Sequence, residues 1–208
     1  MMKLDQWQGI PFPTVEGGYQ VILADPPWKF KTFTKEGSAK GPDVHYGCMP
    51  LEEIQAMPVK ELAAKNCVVL MWATSPMLPE GLETMRAWGA KYVSSMAWDK
   101  RKIGTGYWTR NQHELLLIGK FGSPRAPTPE HRRASVIYAP GMRHSQKPDD
   151  AHIYADNAWP EARKLELFAR RPYPGWNVWG NEVEVGYCAK YPGDQIDLED
   201  AINGIRTA

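Results

Sequence analysis

Val21-Ile22-Leu23-Ala24-Asp25-Pro26-Pro27-Trp28 is the stretch that decides the fold. Its first half is an apolar run short enough for a buried strand. Its second half delivers a carboxylate at the strand's carboxyl end, then two residues without a backbone N–H, then a large aromatic. In open α/β sheets, ligands bind outside the carboxyl ends of the strands. The alternative reading is a strand that ends in a Pro-Pro turn with Trp28 in the core.

Outward from this strand, apolar segments alternate with helical ones. The pattern predicts strands at Tyr19 to Ala24, Cys67 to Trp72, Tyr92 to Trp98, His113 to Gly119, Ser135 to Ala139, Lys164 to Ala169 and Asn177 to Gly180. Helices are expected from Leu51 to Ala64, interrupted at Pro58, from Pro79 to Trp88 with Gly89 as its stop, and from Asp149 to Asn157. Residues 1–18 read as an irregular lead-in. From about Gly186 the chain is polar and reads as a tail or a short terminal helix. This alternation predicts an α/β class with a mainly parallel sheet and helices on both faces. With 208 residues and no internal repeat, a single domain is expected, with a core at about 19–185.

Composition narrows the classes. The formal net charge is +1, so any nucleic acid must be held by local basic patches rather than by the field of the whole molecule. Cys48, Cys67 and Cys188 are scattered and indicate neither a disulfide framework nor a zinc site, so no metal is expected. A reducing cytoplasm is the default compartment. No apolar stretch is long enough to span a bilayer. Nine tryptophans are many for this length, and they serve either as core or as base-stacking platforms.

The Asp-Pro-Pro-Trp string suits one chemistry in particular. The exocyclic amine of adenine is a poor nucleophile, because its lone pair is delocalised into the ring. Acceptors around its hydrogens pull it towards tetrahedral geometry and free that lone pair. Asp25 supplies one acceptor and the Pro26 carbonyl a second, aimed by a restricted backbone. Trp28 is expected to offer a face to a flipped base. A sulfonium methyl donor, S-adenosylmethionine, then needs little beyond in-line positioning.

Other segments supply candidates. In nucleotide-binding α/β folds an acidic residue after the second strand commonly holds ribose hydroxyls, and Asn181 and Glu182, both able to accept from a diol, occupy that place. Glu182 taken alone reads as a solvated strand end. Glu166, flanked by apolar residues, must be paired or at a site, with Arg163, Lys164 or a ligand as its partner. His113 is either a core histidine or a site residue, and Lys147 by itself is an ordinary surface lysine. Residues 99–112 combine Lys100, Arg101, Lys102 and Arg110 with Tyr107 and Trp108, a mix suited to phosphates and bases. Gly104 and Gly106 would let that loop close over the site. Arg125, His131, Arg132 and Arg133 form a second basic stretch. Each loop taken alone reads as a solvated surface.

D-P-P-W at 25–28, H-E at 113–114, H-S-Q-K-P at 144–148, K-L-E-L-F-A-R at 164–170 and W-G-N-E at 179–182 occur in one order. This set resembles the family of the catalytic subunit of the eukaryotic mRNA N6-adenosine methyltransferase, in its bacterial and phage branch. The resemblance runs from about Tyr19 to Glu182. It implies a Rossmann-like methyltransferase fold that binds S-adenosylmethionine, with the amine-binding motif ahead of the cofactor-binding strand. It implies that Asp25, Pro26, Pro27 and Trp28 are catalytic, and that Asp25 also lies beside the cofactor. Lys147 matches a lysine near the cofactor's carboxylate, and Glu166, Phe168 and Arg170 lie in the block that matches the cofactor strand. Asn181 and Glu182 match ribose-binding positions. Tyr46 resembles a residue flanking the acceptor, and His113-Glu114 opens a strand at the site. Arg171-Pro172-Tyr173 departs from the eukaryotic pattern of polar cofactor contacts. The implied substrate is nucleic acid, with DNA favoured and RNA the alternative. A homodimer or a partner subunit would help so small a chain to grip a duplex. A non-catalytic nucleic-acid-binding subunit and a methyltransferase for a small amine or a protein side chain are the competing readings.

Overall fold

The computed structural model describes residues 6–7, 10–29, 48–106, 108–141 and 146–188. A short antiparallel ladder, β1 (Gln6–Trp7) with β2 (Ile10–Pro11), gives the lead-in more order than expected. The main sheet contains β3 (Tyr19–Ala24), β4 (Ala63–Thr74), β5 (Lys91–Asp99), β6 (His113–Phe121), β7 (Val136–Tyr138), β8 (Lys164–Leu167), β9 (Trp176–Trp179) and β10 (Gly186–Cys188). Its order is β10-β9-β8-β3-β4-β6-β5-β7. β3 runs parallel to both neighbours, β8 parallel to β9, and β5 parallel to β7, whereas β6 and β10 run antiparallel to theirs. The sheet is therefore mainly parallel, as an α/β Rossmann-like fold requires.

β3 occupies the middle, with Val21 opposite Val68 on one side and Lys164 on the other. Both faces are covered, which is why it reads as a continuous apolar run. Ile22 and Ala24 face a core built with Ile54, Val59, Leu62, Met85 and Trp88. These come from α1 (Leu51–Gln55), α2 (Val59–Leu62), α3 (Leu78–Ala87) and the cap of α3. Val21 and Leu23 face the opposite core, where α4 (Asp150–Ala158) contributes Ala151, Tyr154 and Ala155 beside Trp72, Trp98 and Trp176. Helices thus lie on both faces.

Local chemistry explains the boundaries. Pro58 separates α1 from α2, as expected for a residue that breaks or restarts a helix. α3 ends in a Schellman motif: Gly89 at φ +84° donates to the Arg86 carbonyl, and Ala90 donates to that of Met85. β4 begins at Ala63, four residues before the apolar run, because β3 offers it a backbone partner at Tyr19. The expected tail begins instead as β10, which pairs antiparallel with β9 and covers an edge that would otherwise leave backbone groups open. Most tryptophans go into the core; Trp72, Trp176 and Trp179 are fully buried.

Gly18 sits at φ +72°, and a Cβ there would lie 2.7 Å from the Ala63 carbonyl carbon and the Ala64 nitrogen. This close approach brings the start of β3 against β4. Gly18→Ala should lower stability by about 1–3 kcal/mol, the cost of a left-handed non-glycine residue, with the backbone contact adding to it. Urea unfolding of the two proteins checks this.

Candidate active site

β3 ends at Ala24, and the Asp25 N–H reaches the Leu167 carbonyl at 3.4 Å. The chain then turns sharply. Trp28 N–H donates to the Pro26 carbonyl at 2.8 Å, closing a three-residue turn about Pro27. A proline's fixed φ suits the centre of such a turn. Met49 N–H holds the Pro27 carbonyl at 3.0 Å. Pro26 therefore keeps one carbonyl lone pair for a further donor.

Trp28 corrects an expectation. Its ring is only 6 % exposed, lies in the core, and donates Nε1–H to the Trp72 carbonyl at 3.2 Å. It has no open face for a base. The indole anchors the turn, and this part of the structural alternative is the one realised.

Asp25 is the edge of a charge cluster. Lys147 Nζ lies 2.8 Å from both of its carboxylate oxygens and 3.5 Å from Glu114 Oε2. Lys100 Nζ lies 2.5 Å from Glu114 Oε1. Four distant chain segments meet here. β6 runs antiparallel, so its first residues, His113 and Glu114, fall beside the carboxyl ends of β4 and β5, opposite Thr74 and Trp98. Lys147 comes from the segment that leads into α4.

Burial and charge compete at each group. Burial raises the Asp25 pKa above the usual carboxylate range, and Lys147 only partly opposes it. Burial also pushes Glu114 upward, but Lys147 and Lys100 outweigh it and hold Glu114 below its ordinary value. Lys147 loses hydration, yet Asp25 and Glu114 raise it above an ordinary lysine. It is no surface lysine, and in this arrangement its partners are protein carboxylates.

Next along the strand ends stands Glu166. Its partner is neither Arg163 nor Lys164. His152 Nε2, from the first turn of α4, meets Glu166 Oε2 at 2.8 Å. Arg163 instead donates to the Gly18 carbonyl, and Lys164 bonds the Pro160 carbonyl and Asp156. Phe168 follows β8 with φ +63°, its ring edge-on to Trp179. Arg170 Nε lies 2.8 Å from Glu182 Oε1, tying the end of β8 to the end of β9. Asn181 is exposed beside it.

The loop after β5 is only partly what its composition suggested. Lys100 turns inward to Glu114 rather than outward to a phosphate. Asp99 accepts from the Gln112 side chain and the Arg101 N–H, which hold its carboxyl below the usual range. Arg101, at φ +56°, places its guanidinium 4.4 Å from the ring centroid of Tyr138. Lys102 and Trp108 are exposed, and Arg110 donates to the Gly104 carbonyl. His113 is exposed and bonds Ser75 Oγ through Nε2 at 3.0 Å, so it is not a core histidine. Tyr46 and Tyr107 lie outside the described residues. The second basic stretch bonds locally: Arg132 reaches the Pro127 carbonyl and Arg133 reaches Asp150.

Sequence reasoning placed Glu114 at the site only as the second residue of the His113-Glu114 pair, without a role of its own, and passed over His152 and Tyr138. Glu114 carried a weak signal, as an acid beside apolar Leu115-Leu116-Leu117 in a predicted strand. His152 and Tyr138 carried none, since each matters through a partner distant in sequence.

The sheet and the polar residues at its strand ends define an α/β enzyme of the Rossmann-like methyltransferase class. Comparison with known proteins gives the family. The MT-A70 family model matches residues 19–182, and the chain belongs to that family. It is 31 % identical to the type II methyltransferase M.MunI of a Mycoplasma species, over 79 % of this chain and 78 % of that protein. It is 30 % identical to an Arabidopsis thaliana N(6)-adenosine-methyltransferase MT-A70-like protein, over 80 % of this chain but 24 % of the relative. Human N(6)-adenine-specific methyltransferase METTL4 is 29 % identical, over 79 % of this chain and 37 % of the relative. The chain thus spans most of the Mycoplasma enzyme and a minor part of the eukaryotic proteins.

Because Glu114 has its pKa lowered by folding, the stability it contributes is present above the ordinary carboxylate range and is lost as pH falls through its folded value. Glu114→Gln should cost about 3 kcal/mol at neutral pH, the low end for breaking a buried pair because Asp25 still balances Lys147. The gap between wild type and variant should close on acidification. Urea unfolding across that range measures it, and a gap constant with pH would contradict the assignment.

Proposed function

We propose that this chain transfers a methyl group from S-adenosylmethionine to N6 of adenine in nucleic acid, with DNA favoured. The observation that carries this reading is Asp25-Pro26-Pro27-Trp28 at the carboxyl end of a central parallel strand, with its carboxylate half-neutralised by Lys147.

The residues fit the cofactor. Around Asp25, three carboxylates (Asp25, Glu114, Glu166) face two ammonium groups (Lys147, Lys100), which leaves a formal excess of one negative charge for a sulfonium. Asn181 and Glu182, beyond β9, offer acceptors to a ribose diol, with Arg170 holding Glu182. When bound, S-adenosylmethionine supplies a methyl group already activated by sulfur's positive charge. Asp25 and the free lone pair of the Pro26 carbonyl accept the two N6 hydrogens and hold the amine in line. As the N–C bond forms, N6 gives up one proton. Burial raises the pKa of Asp25 and makes it a better acceptor for that proton, while Lys147 partly opposes the rise. Solvent is a sufficient final acceptor.

Arg101, Lys102, Arg110, Trp108 and Tyr138 present cations and rings beside the site, the mixture that grips phosphates and stacks bases. DNA is favoured because the chain covers most of the compact M.MunI, a type II methyltransferase, and little of the larger eukaryotic relatives. RNA is the second reading, supported by relatives named for adenosine.

Asp25→Ala should lower methyl transfer about 10²–10⁴-fold, the range for removing a proton acceptor, while cofactor binding persists because Lys147 retains Glu114. Labelled methyl transfer to matched DNA and RNA, single- and double-stranded, with nucleoside analysis, measures the first point, and calorimetry with S-adenosylmethionine the second. N6-methyl-deoxyadenosine supports the DNA reading; N6-methyl-adenosine alone replaces it with RNA. Undiminished transfer by the variant removes Asp25 from the mechanism.

A further inference from the structure

His152 and Glu166 form a pair that neither stability nor the reaction outlined above explains. Glu166 sits on β8 between Leu165 and Leu167, both fully buried. A carboxylate there requires a partner. The partner is an imidazole whose own position is fixed on two sides. Its ring stacks on Tyr173, with centroids 4.0 Å apart and planes at 15°, and meets Trp176 edge-on at 4.9 Å. An ionised carboxylate only accepts, so His152 Nε2 carries the proton it donates to Oε2 at 2.8 Å. Nδ1 is then left buried with no hydrogen-bond partner.

A buried pair with one orphaned nitrogen is a poor device for stability. It is a good device for aiming a carboxylate. The imidazole occupies one oxygen of Glu166 and fixes the plane of the group, while Oε1 makes no hydrogen bond to another described residue. Glu166 lies opposite Leu23, two residues before Asp25, and its charge is felt at Asp25. The fixed carboxylate therefore stands beside the reacting end of the site.

We propose that His152 is a positioning residue for the cofactor: clamped by Tyr173 and Trp176, it holds Glu166 Oε2 so that the other oxygen is presented to a hydrogen-bond donor of S-adenosylmethionine. This rests on the cofactor reading above and adds to it a residue that does not touch the ligand.

The test separates the imidazole's hydrogen bond from its packing. His152→Phe keeps a flat ring between Tyr173 and Trp176 but cannot donate. His152→Gln loses the ring but can donate to Glu166. Binding of S-adenosylmethionine and of S-adenosylhomocysteine is measured by calorimetry on the full chain, with thermal melting alongside. His152→Phe should melt below wild type, because Glu166 is left without its partner, and bind about tenfold more weakly, the worth of one charge-assisted hydrogen bond. His152→Gln should melt lower yet bind within about threefold of wild type. Glu166→Gln should weaken binding at least as much as His152→Phe, and the double variant should be no worse than Glu166→Gln alone. Wild-type affinity in His152→Phe, or affinity that merely follows melting temperature across the variants, overturns the proposal. If Glu166→Gln weakens binding while His152→Phe does not, the positioning role falls and the cofactor reading stands. If Glu166→Gln leaves binding unchanged, the positioning role falls and the cofactor reading stands; if wild type binds no cofactor, both fall.

Discussion

Lys147 between Asp25 and Glu114 is the interaction on which the rest of the site depends. A carboxylate at the end of a buried strand is costly unless a cation meets it. One ammonium here serves two carboxylates, at 2.8 Å and 3.5 Å, and Lys100 supplements it at Glu114. Remove that cation and two acids face each other in a half-dry pocket. The alternative, a fully apolar strand end, would be more stable and chemically idle.

The sheet's topology makes the arrangement possible. An all-parallel sheet would send the start of β6 to the opposite edge. Because β6 is antiparallel between β4 and β5, Glu114 arrives at the same edge as Asp25 and the end of β5. The segment before α4 then passes over that edge and lowers Lys147 into the gap. The helix itself brings His152 to Glu166 within its first turn, so α4 and the segment leading into it supply a partner to each of two strand-end acids. The fold converts separations of 14 and 122 residues into contacts of 2.8 Å.

This explains how much was legible in the sequence. Periodicity exposed β3 through β9 and the Gly89 stop, because these depend on neighbours within a few positions. The Asp-Pro-Pro-Trp string was legible because its chemistry is contiguous, and its companions because their order resembles a family. What escaped was orientation. Lys100 in a basic loop looked like a phosphate contact, yet it turns inward because Glu114 is a nearer and drier counter-charge. Trp28 looked like a platform, yet the turn about Pro27 folds its ring into the core. Glu166 was recognised as needing a partner, but His152 could not be chosen over Arg163 or Lys164 without the helix that presents it. β10 was invisible for a related reason: three residues gain strand structure only from the edge they cover.

The two acids that share Lys147 are driven apart by position, and the direction of each is informative. Glu114 has a lysine on each carboxylate oxygen, and charge wins over burial. Asp25 has one lysine spread over both oxygens, and burial wins. Ionised Glu114 therefore stabilises the fold above the ordinary carboxylate range, whereas ionised Asp25 opposes it there. The protein tolerates an electrostatic cost at Asp25, the group proposed to accept a proton, and recovers stability at the neighbour that anchors the shared cation. The unequal division of two lysines between two carboxylates sets the electrostatic character of the site.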